Sequence, residues 1–262
     1  MIGPILAALL IGLPIAASAA SVHLEELTWI EASDALKAGT TTVIIPTGGV
    51  EQNGPHMVLG KHNYVVRHAA GRIAEVLGNA LVAPVVAYVP EGDVDPPTGH
   101  MAFAGTISVP PRVFAEVLEH AARSLRAHGF RTICFVGDSF DNQAPQAEVA
   151  ARLSRDWAGS GAVAIHVGDY YAANGQVEWL MARGEGRAAI GNHAGIRDTS
   201  ELLAVFPLGI RDDLVRRGGG FRLGPTGVDG DPTRATAERG RRLLDLKIEA
   251  AVAQIRASRD RR

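Results

Sequence analysis

The chain has 262 residues, of which 47% are hydrophobic and 21% charged, and its formal net charge is −2. This near-neutral balance, without a basic patch, excludes the electrostatic signature of a nucleic-acid-binding protein. A single cysteine cannot form an internal disulfide. The length and composition predict one large α/β domain rather than two small ones.

The first 20 residues form a segment of a different kind. An apolar run over residues 1–15 precedes Ala17-Ser18-Ala19, the A-x-A pattern of a signal-peptide cleavage site. The run is too short, and too rich in glycine and proline, for a membrane-spanning helix. We predict a cleaved export signal over residues 1–20 and a single domain over 21–262. The mature protein would be periplasmic or secreted, without membrane attachment. An uncleaved N-terminal anchor is the alternative, because no basic segment precedes the apolar run.

Helical and strand-like patterns then alternate along the chain. We predict helices over residues 29–38, 64–77, 112–128, 143–157 and 233–258, and strands over residues 41–45, 81–89, 132–136 and 162–167. This alternation is typical of an α/β domain with a mostly parallel sheet and helices on both faces. The single cysteine, Cys134, lies within a predicted strand. We interpret it as a small buried side chain rather than a catalytic thiol.

The loop after the first predicted strand is the most informative segment. It contains Glu51, Asn53, His56 and His62 within twelve residues, among glycine and proline. In a parallel sheet the loops after the strands meet at one edge, where α/β enzymes place their chemistry. Carboxylate and imidazole groups are ligands for divalent metals such as zinc. The loop therefore predicts part of a metal-dependent site rather than an ordinary turn.

Three further polar loops are expected at the same edge of the sheet. Their candidate residues are His100 in the second loop, Asp138, Ser139, Asp141 and Asn142 in the third, and His193 and Asp198 in the fourth. A hydrolytic metal site needs protein ligands and one open position for water. Glu51, His62 and either Asp138 or Asp141 would supply such a ligand set.

Four segments of the chain resemble the creatininase (creatinine amidohydrolase) family. Glu51-Gln-Asn-Gly-Pro-His56 is similar to its E-Q-H-G-P-H, and Gly105-Thr-Ile-Ser108 to its G-T-I-S. His193-Ala-Gly-x-x-Asp198-Thr-Ser200 is similar to its H-A-G-x-x-E-T-S, and Gly227-Val-x-Gly230-Asp-Pro to its G-V-x-G-D-P. The segments lie in the expected order, which makes the set far more specific than any one of them.

The resemblance implies a three-layer α/β/α domain with a mostly parallel central sheet. It also implies two divalent metals, zinc or manganese, and hydrolysis of non-peptide or cyclic amide C–N bonds. The partners would be a small-molecule substrate and further copies of the chain, in a homo-oligomer such as a hexamer.

Residue by residue, the resemblance is incomplete at the metal positions. Glu51 matches a metal-binding glutamate and His193 the histidine beside the substrate. Asn53 replaces a metal-binding histidine, His62 replaces the aspartate that bridges both metals, and Ser139 replaces another metal-binding histidine. Asp141 falls where some members have a metal-binding glutamate. These departures place a two-metal site in doubt.

We therefore predict one zinc or manganese ion per chain rather than two, because a neutral imidazole offers one lone pair where a bridging carboxylate offers two oxygens. The predicted ligands are Glu51, His62, Asp138 and Asp141. His193 and Asp141 are the predicted acid–base residues. Substrate-binding or supporting roles are assigned to Asn53, His56, His100, Ser139, Asn142 and Asp198.

Two other functions stay open from the sequence. The first is a non-catalytic, exported protein that binds a small molecule on the same fold, which the substituted ligand positions favour. The second uses Ser139 as a nucleophile, although its surroundings lack the G-x-S-x-G pattern of such enzymes.

Overall fold

A four-stranded, entirely parallel sheet lies at the centre of the fold, which a computed structural model describes for residues 21–217 and 226–260. The strands, in spatial order, are β2 (Ala80–Val82), β1 (Thr42–Thr47), β3 (Thr132–Gly137) and β4 (Val163–His166). The predicted α/β class with a parallel sheet is confirmed. The predicted export signal, residues 1–20, lies outside the described residues.

Helices cover both faces of this sheet. The helices of the described residues are α1 (Trp29–Lys37), α2 (Lys61–Leu77), α3 (Pro111–Ala127), α4 (Gln143–Asp156), α5 (Gln176–Met181), α6 (Arg187–Ile190), α7 (Ile196–Val205), α8 (Asp212–Arg217) and α9 (Ala237–Asp260), of which α2, α3, α4 and α9 pack directly on the sheet. The described part of the chain contains no helix with both the length and the apolarity to cross a membrane.

The alternation of side chains along the strands creates the two hydrophobic layers. Ile44 and Cys134 pack with α2 and α9 on one face, whereas Val43, Ile45 and Ile133 pack with α3 and α4 on the other. Successive residues of a strand point to opposite faces, so strands covered on both sides are apolar throughout. Cys134 is fully buried in this core, as predicted.

The predicted strand over residues 81–89 is wrong beyond Val82. Pro84 interrupts it, because proline has no N–H to donate to the sheet. Only an isolated bridge between Thr47 and Val86 follows, and the chain then runs irregularly past Pro90 to the short helical turn Gly99–Ala102. This irregular segment brings Glu91 and His100 beside the end of β1. The sequence patterns also missed the short helices α5 to α8.

Helix α9 packs closely on α7 at Gly240, where a side chain has no room. A Cβ atom at this position would lie 1.8 Å from the carbonyl oxygen of Ser200 in α7. This contact matters for the site, because α7 and α9 both carry charged residues to the carboxyl edge of the sheet.

Replacing Gly240 with alanine should therefore destabilise the fold, by about 2–3 kcal/mol, since the two helices must move apart to accept the methyl group. Urea denaturation followed by circular dichroism measures this loss. Gly186→Ala is the matched control, because a Cβ there meets no atom within 4 Å. Equal losses in the two variants would contradict the close-packing argument.

Candidate active site

A cavity of about 540 Å³ opens at the carboxyl edge of the sheet, and all four polar loops contribute to it. Its lining includes Glu51 from the first loop, His100 from the second, Asp138, Ser139 and Asp141 from the third, and His193 and Asp198 from the fourth. His62 from α2, Arg197 and Glu201 from α7, and Lys247 from α9 complete the charged lining. The fold thus gathers acids, imidazoles and an ammonium group around one space.

His62 lies between two carboxylates. Its Nε2 is 2.7 Å from Glu51 Oε1, and its Nδ1 is 2.8 Å from Asp138 Oδ2. Burial and the adjacent Lys61 lower the pKa of His62, but the carboxylates outweigh them and raise it to about 9. Burial alone would raise the pKa of the two carboxyls; His62, together with Lys247 at Asp138, holds both below their usual range. His62 is therefore an imidazolium with an ion pair on each side.

Two buried lysines form ion pairs with the acids of the site that His62 leaves without a full complement of partners. Lys247 Nζ lies 2.6 Å from Asp138 Oδ1 and 3.1 Å from Glu201 Oε2. Lys61 Nζ lies 2.8 Å from Asp198 Oδ1. Burial raises the pKa of Asp198, but the Lys61 ammonium outweighs this effect and holds it below its usual range. A buried charge is tolerated only when it is paired, so these contacts are a condition for folding.

A second group of side chains has the geometry of a metal site. Ligand atoms of Glu51, His100 and His193 all lie within 4.8 Å of one another. His100 Nε2 is 3.3 Å from Glu51 Oε2, and His193 Nδ1 is 3.8 Å from Glu51 Oε1. The side-chain nitrogen of Gln52 lies about midway between the rings, 3.0 Å from His100 and 3.1 Å from His193. Two imidazoles and one carboxylate are a donor set that suits zinc or manganese.

The carboxyl group of Glu91 is a further feature that fits a cation site. Glu91 is buried, and neither of its oxygens receives a hydrogen bond from the described protein. Burial, and then the neighbouring Glu51 carboxylate, raise the pKa of Glu91 to about 11. Glu91 is thus held protonated against Glu51. An unsatisfied carboxyl beside a candidate ligand fits a site that accepts a positive ion.

The sequence model of the creatininase family, described as creatinine amidohydrolase, matches residues 25–255. This match spans nearly the whole described chain, including every loop at the cavity. The chain belongs to the creatininase family.

Curated relatives carry two kinds of name. A mycofactocin precursor peptide peptidase from Mycobacterium ulcerans is 28% identical over 253 residues, covering 85% of this chain and 88% of its own length. A creatinine amidohydrolase from Pseudomonas putida is 27% identical over 192 residues, covering 71% and 73%. Both names denote hydrolases, and membership of this family identifies the chain as a hydrolase.

Solved creatininase structures share the fold. One described as creatininase Mn has a TM-score of 0.72 at 24% identity, covering 91% of this chain and 98% of its own. A mutant creatininase of Zn-Zn type has the same TM-score and coverage. At this identity the likeness confirms the three-layer creatininase fold. It also shows that creatininase structures hold manganese or zinc.

The two-metal ligand set that the resemblance implies does not fit this creatininase-family chain. Asn53 donates its amide to the Glu51 carbonyl oxygen at 3.0 Å, and both nitrogens of His62 are engaged by carboxylates. Ser139 lines the cavity but offers only a hydroxyl. The group formed by Glu51, His100 and His193 does fit one divalent ion, and it differs from the predicted ligand set, in which His62, Asp138 and Asp141 accompanied Glu51.

Three other predicted site residues lie away from the cavity or at its rim. His56 is buried against Thr199, at 2.9 Å between Nε2 and Oγ1, and burial lowers its pKa to about 4. Asn142 is buried and donates to the Thr47 hydroxyl. Asp141 is exposed at the rim, where partial burial raises its pKa.

Sequence reasoning missed Lys61, Glu91, Glu201 and Lys247. A usable signal existed for Lys247, since it interrupts an apolar stripe of α9 between Leu243 and Ala251, both fully buried. A lysine at such a position requires a buried acid as partner. No comparable local signal marked Glu91, because its surroundings are irregular.

The charge on His62 predicts a loss of stability in alkaline solution. Its folded-state pKa, about 9, lies above the ordinary histidine pKa of 6.5, so its contribution is complete below pH 6.5 and is lost as pH rises through 9. The loss should be on the order of 3 kcal/mol.

Urea denaturation at pH 6, 7.5 and 10, in the presence of a chelator, measures this effect. His62→Gln should be less stable at pH 6 and should lack the alkaline loss. If the wild type and His62→Gln show the same dependence on pH, His62 is not the charged group.

Proposed function

We propose that this protein hydrolyses amide C–N bonds with the help of one divalent metal, zinc or manganese, per chain. The observation that carries the proposal is the group of Glu51, His100 and His193, which faces an open cavity and adjoins the unsatisfied Glu91 carboxyl. The names of the relatives, an amidohydrolase and a peptidase, support cleavage of this type of bond.

The charges of the site favour one metal over two. The ion-paired acids of the site are Glu51, Asp138, Glu201 and the partly exposed Asp198, and the buried cations that contact them are Lys61, His62 and Lys247. Glu91 is counted as neutral because it is held protonated. Four negative groups and three positive groups leave one negative charge. A single divalent ion at Glu51 changes this sum from −1 to +1, whereas a second would bring further uncompensated positive charge into a buried region.

The residues around the cavity can perform the proton transfers of such a reaction. A divalent metal, when bound, supplies a Lewis acid that polarises the substrate carbonyl. Asp141 stands at the rim, outside the ligand group, and its raised pKa suits a residue that accepts and returns a proton. Burial lowers the pKa of His193, which keeps its imidazole neutral and able to bind metal. We therefore assign the proton transfer to Asp141 and the ligand role to His193.

A second cavity extends the space available to a substrate. It measures about 680 Å³ and shares Asp141 with the first. Its wall is largely apolar, with Pro90, Val94 and Val109 among its members. We propose amides with an apolar arm as the substrate class, which covers short peptides as well as the non-peptide amides predicted from the sequence.

We also propose that the protein acts outside the cytoplasm, in the periplasm or as a secreted protein, and as a homo-oligomer. The export pattern in residues 1–20 supports the location, and the family resemblance supports the assembly. Neither proposal affects the chemistry of the site.

A second candidate function is binding without catalysis. It is favoured by the three protein cations, which satisfy most of the buried acids without any metal. Metal content separates the two functions.

Elemental mass spectrometry of the purified protein, loaded with manganese or zinc, should give about one equivalent per chain. His100→Ala and His193→Ala should each lower the metal affinity at least tenfold, because two protein ligands bind far less tightly than three. His120→Ala, on the exposed side of α3, is the matched control and should retain the metal. A wild-type protein without metal after loading would favour the binding function.

Asp141→Asn should lower kcat by about 10²–10⁴-fold, because it removes the proton acceptor while leaving the ligands intact. Hydrolysis of lactams, N-acyl amines and short peptides with apolar side chains provides the assay. Glu148→Gln, in the wall of the second cavity, is the control for a change of charge nearby. Unchanged kcat in Asp141→Asn with normal metal content would exclude this role.

A further inference from the structure

His62 bridges two acids in a way that requires a positive charge. Carboxylate oxygens only accept hydrogen bonds when ionised, and both ring nitrogens of His62 lie within 2.8 Å of one. Each nitrogen must therefore donate a proton. The Lys61 ammonium is also 3.2 Å from Nδ1, a longer contact than the one to Asp138. The bridge between Glu51 and Asp138 is thus a cation that joins two anions.

The oxygens of Asp138 and Asp198, which lie on the side of the site that contains His62 and the two lysines, also have protein donors. Asp138 Oδ1 accepts from Lys247 at 2.6 Å and from the Tyr170 hydroxyl at 2.8 Å. Asp198 Oδ1 accepts from Lys61, and its Oδ2 accepts from the Ala194 N–H at 2.6 Å. Every oxygen named here has a protein donor, and the donors are cations at Asp138 Oδ1 and Asp198 Oδ1, so a metal there would have to approach a positive charge.

Glu201 is the last acid of the site whose oxygens have protein donors. Its Oε2 lies 3.1 Å from Lys247, and its Oε1 accepts from the Gln176 amide at 2.5 Å. Its neighbourhood is buried, since Lys247, Gln176 and Glu201 are each at most 6% exposed. Solvent therefore does not compete with these contacts, which makes a charged partner necessary.

We propose that Lys61, His62 and Lys247 take the place of the second metal of the family site as a fixed, protein-borne set of cations. The family arrangement, in which one anion bridges two cations, is inverted here into one cation that bridges two anions. The inference rests on the proposed function only for the metal at Glu51. The occupation of the second metal position by protein cations follows from the contacts alone.

One consequence is that this half of the site needs no metal to keep its shape. Asp138, Asp198 and Glu201 should stay in place when the protein is treated with a chelator. A second consequence is that removing one protein cation should open a position for a divalent ion, because the released carboxylate oxygens are good ligands for manganese and zinc.

Calorimetric titration of the metal-free protein with manganese or zinc chloride tests the proposal. His62→Asp should bind one equivalent more than the wild type, and its melting temperature should rise with metal by at least 5 °C more than that of the wild type. Lys247→Met, which frees Asp138 Oδ1 and Glu201 Oε2, should show the same extra equivalent. Lys247→Arg, which keeps the charge, and Lys37→Met, on the exposed face of α1, are the controls and should bind as the wild type does.

The comparison with the wild type decides the outcome. Two strongly bound equivalents in the wild type, or no extra equivalent in folded His62→Asp and Lys247→Met, would overturn the inference. Circular dichroism in the presence and absence of metal establishes that each variant is folded. If His62→Asp is not folded, Lys247→Met alone tests for the extra equivalent. Zero equivalents in the wild type with one in the variants would reject the proposed single-metal hydrolase while supporting the inverted bridge.

Discussion

The compensation of buried charge is the constraint on which this site depends. Glu51 and Asp138 lie at the carboxyl ends of the two central strands, each 3% exposed or less. An isolated carboxylate in such a place costs several kcal/mol, and a partner of opposite charge must offset that cost. His62 provides it for both acids at once. The positions of Lys61 and Lys247 follow from the same requirement, because each acid beyond that bridge needs its own cation.

The fold supplies these partners from distant parts of the chain. The parallel sheet brings the ends of β1 and β3 together, and the N-terminus of α2 presents Lys61 and His62 between them. Lys247 is separated from Asp138 by 109 residues and reaches it only because α9 packs on α2 and α7. The tight approach at Gly240 therefore affects more than stability. It sets how closely the Lys247 ammonium group of α9 approaches Asp138.

Part of the fold and of the site could be predicted from sequence, and the features that could not be predicted were missed for physical reasons. Apolar runs and turn residues predicted four strand positions and the parallel sheet, and short motifs predicted the family and the loops that line the cavity. Pro84 ended β2 earlier than hydrophobicity indicated, because the ladder needs an N–H that proline lacks. The partners of His62 could not be derived, since they depend on which helix crosses which strand end. The apolar stripe around Lys247 indicates that it needs a buried acid, but which acid it contacts is known only from its neighbours in space.

Protein cations and metal ions differ in what they can do for a reaction. An ammonium or imidazolium group satisfies a carboxylate with hydrogen bonds, but it has no open coordination position for a substrate oxygen. The half of the site closed by Lys61, His62 and Lys247 is therefore suited to holding shape and charge. The half formed by Glu51, His100 and His193 retains free ligand atoms facing the cavity, with the unsatisfied Glu91 behind them. Because Glu51 belongs to both halves, its hydrogen bond to His62 fixes the carboxylate that a metal would use. The inverted bridge thus orients the group of described residues that could still hold a metal for catalysis.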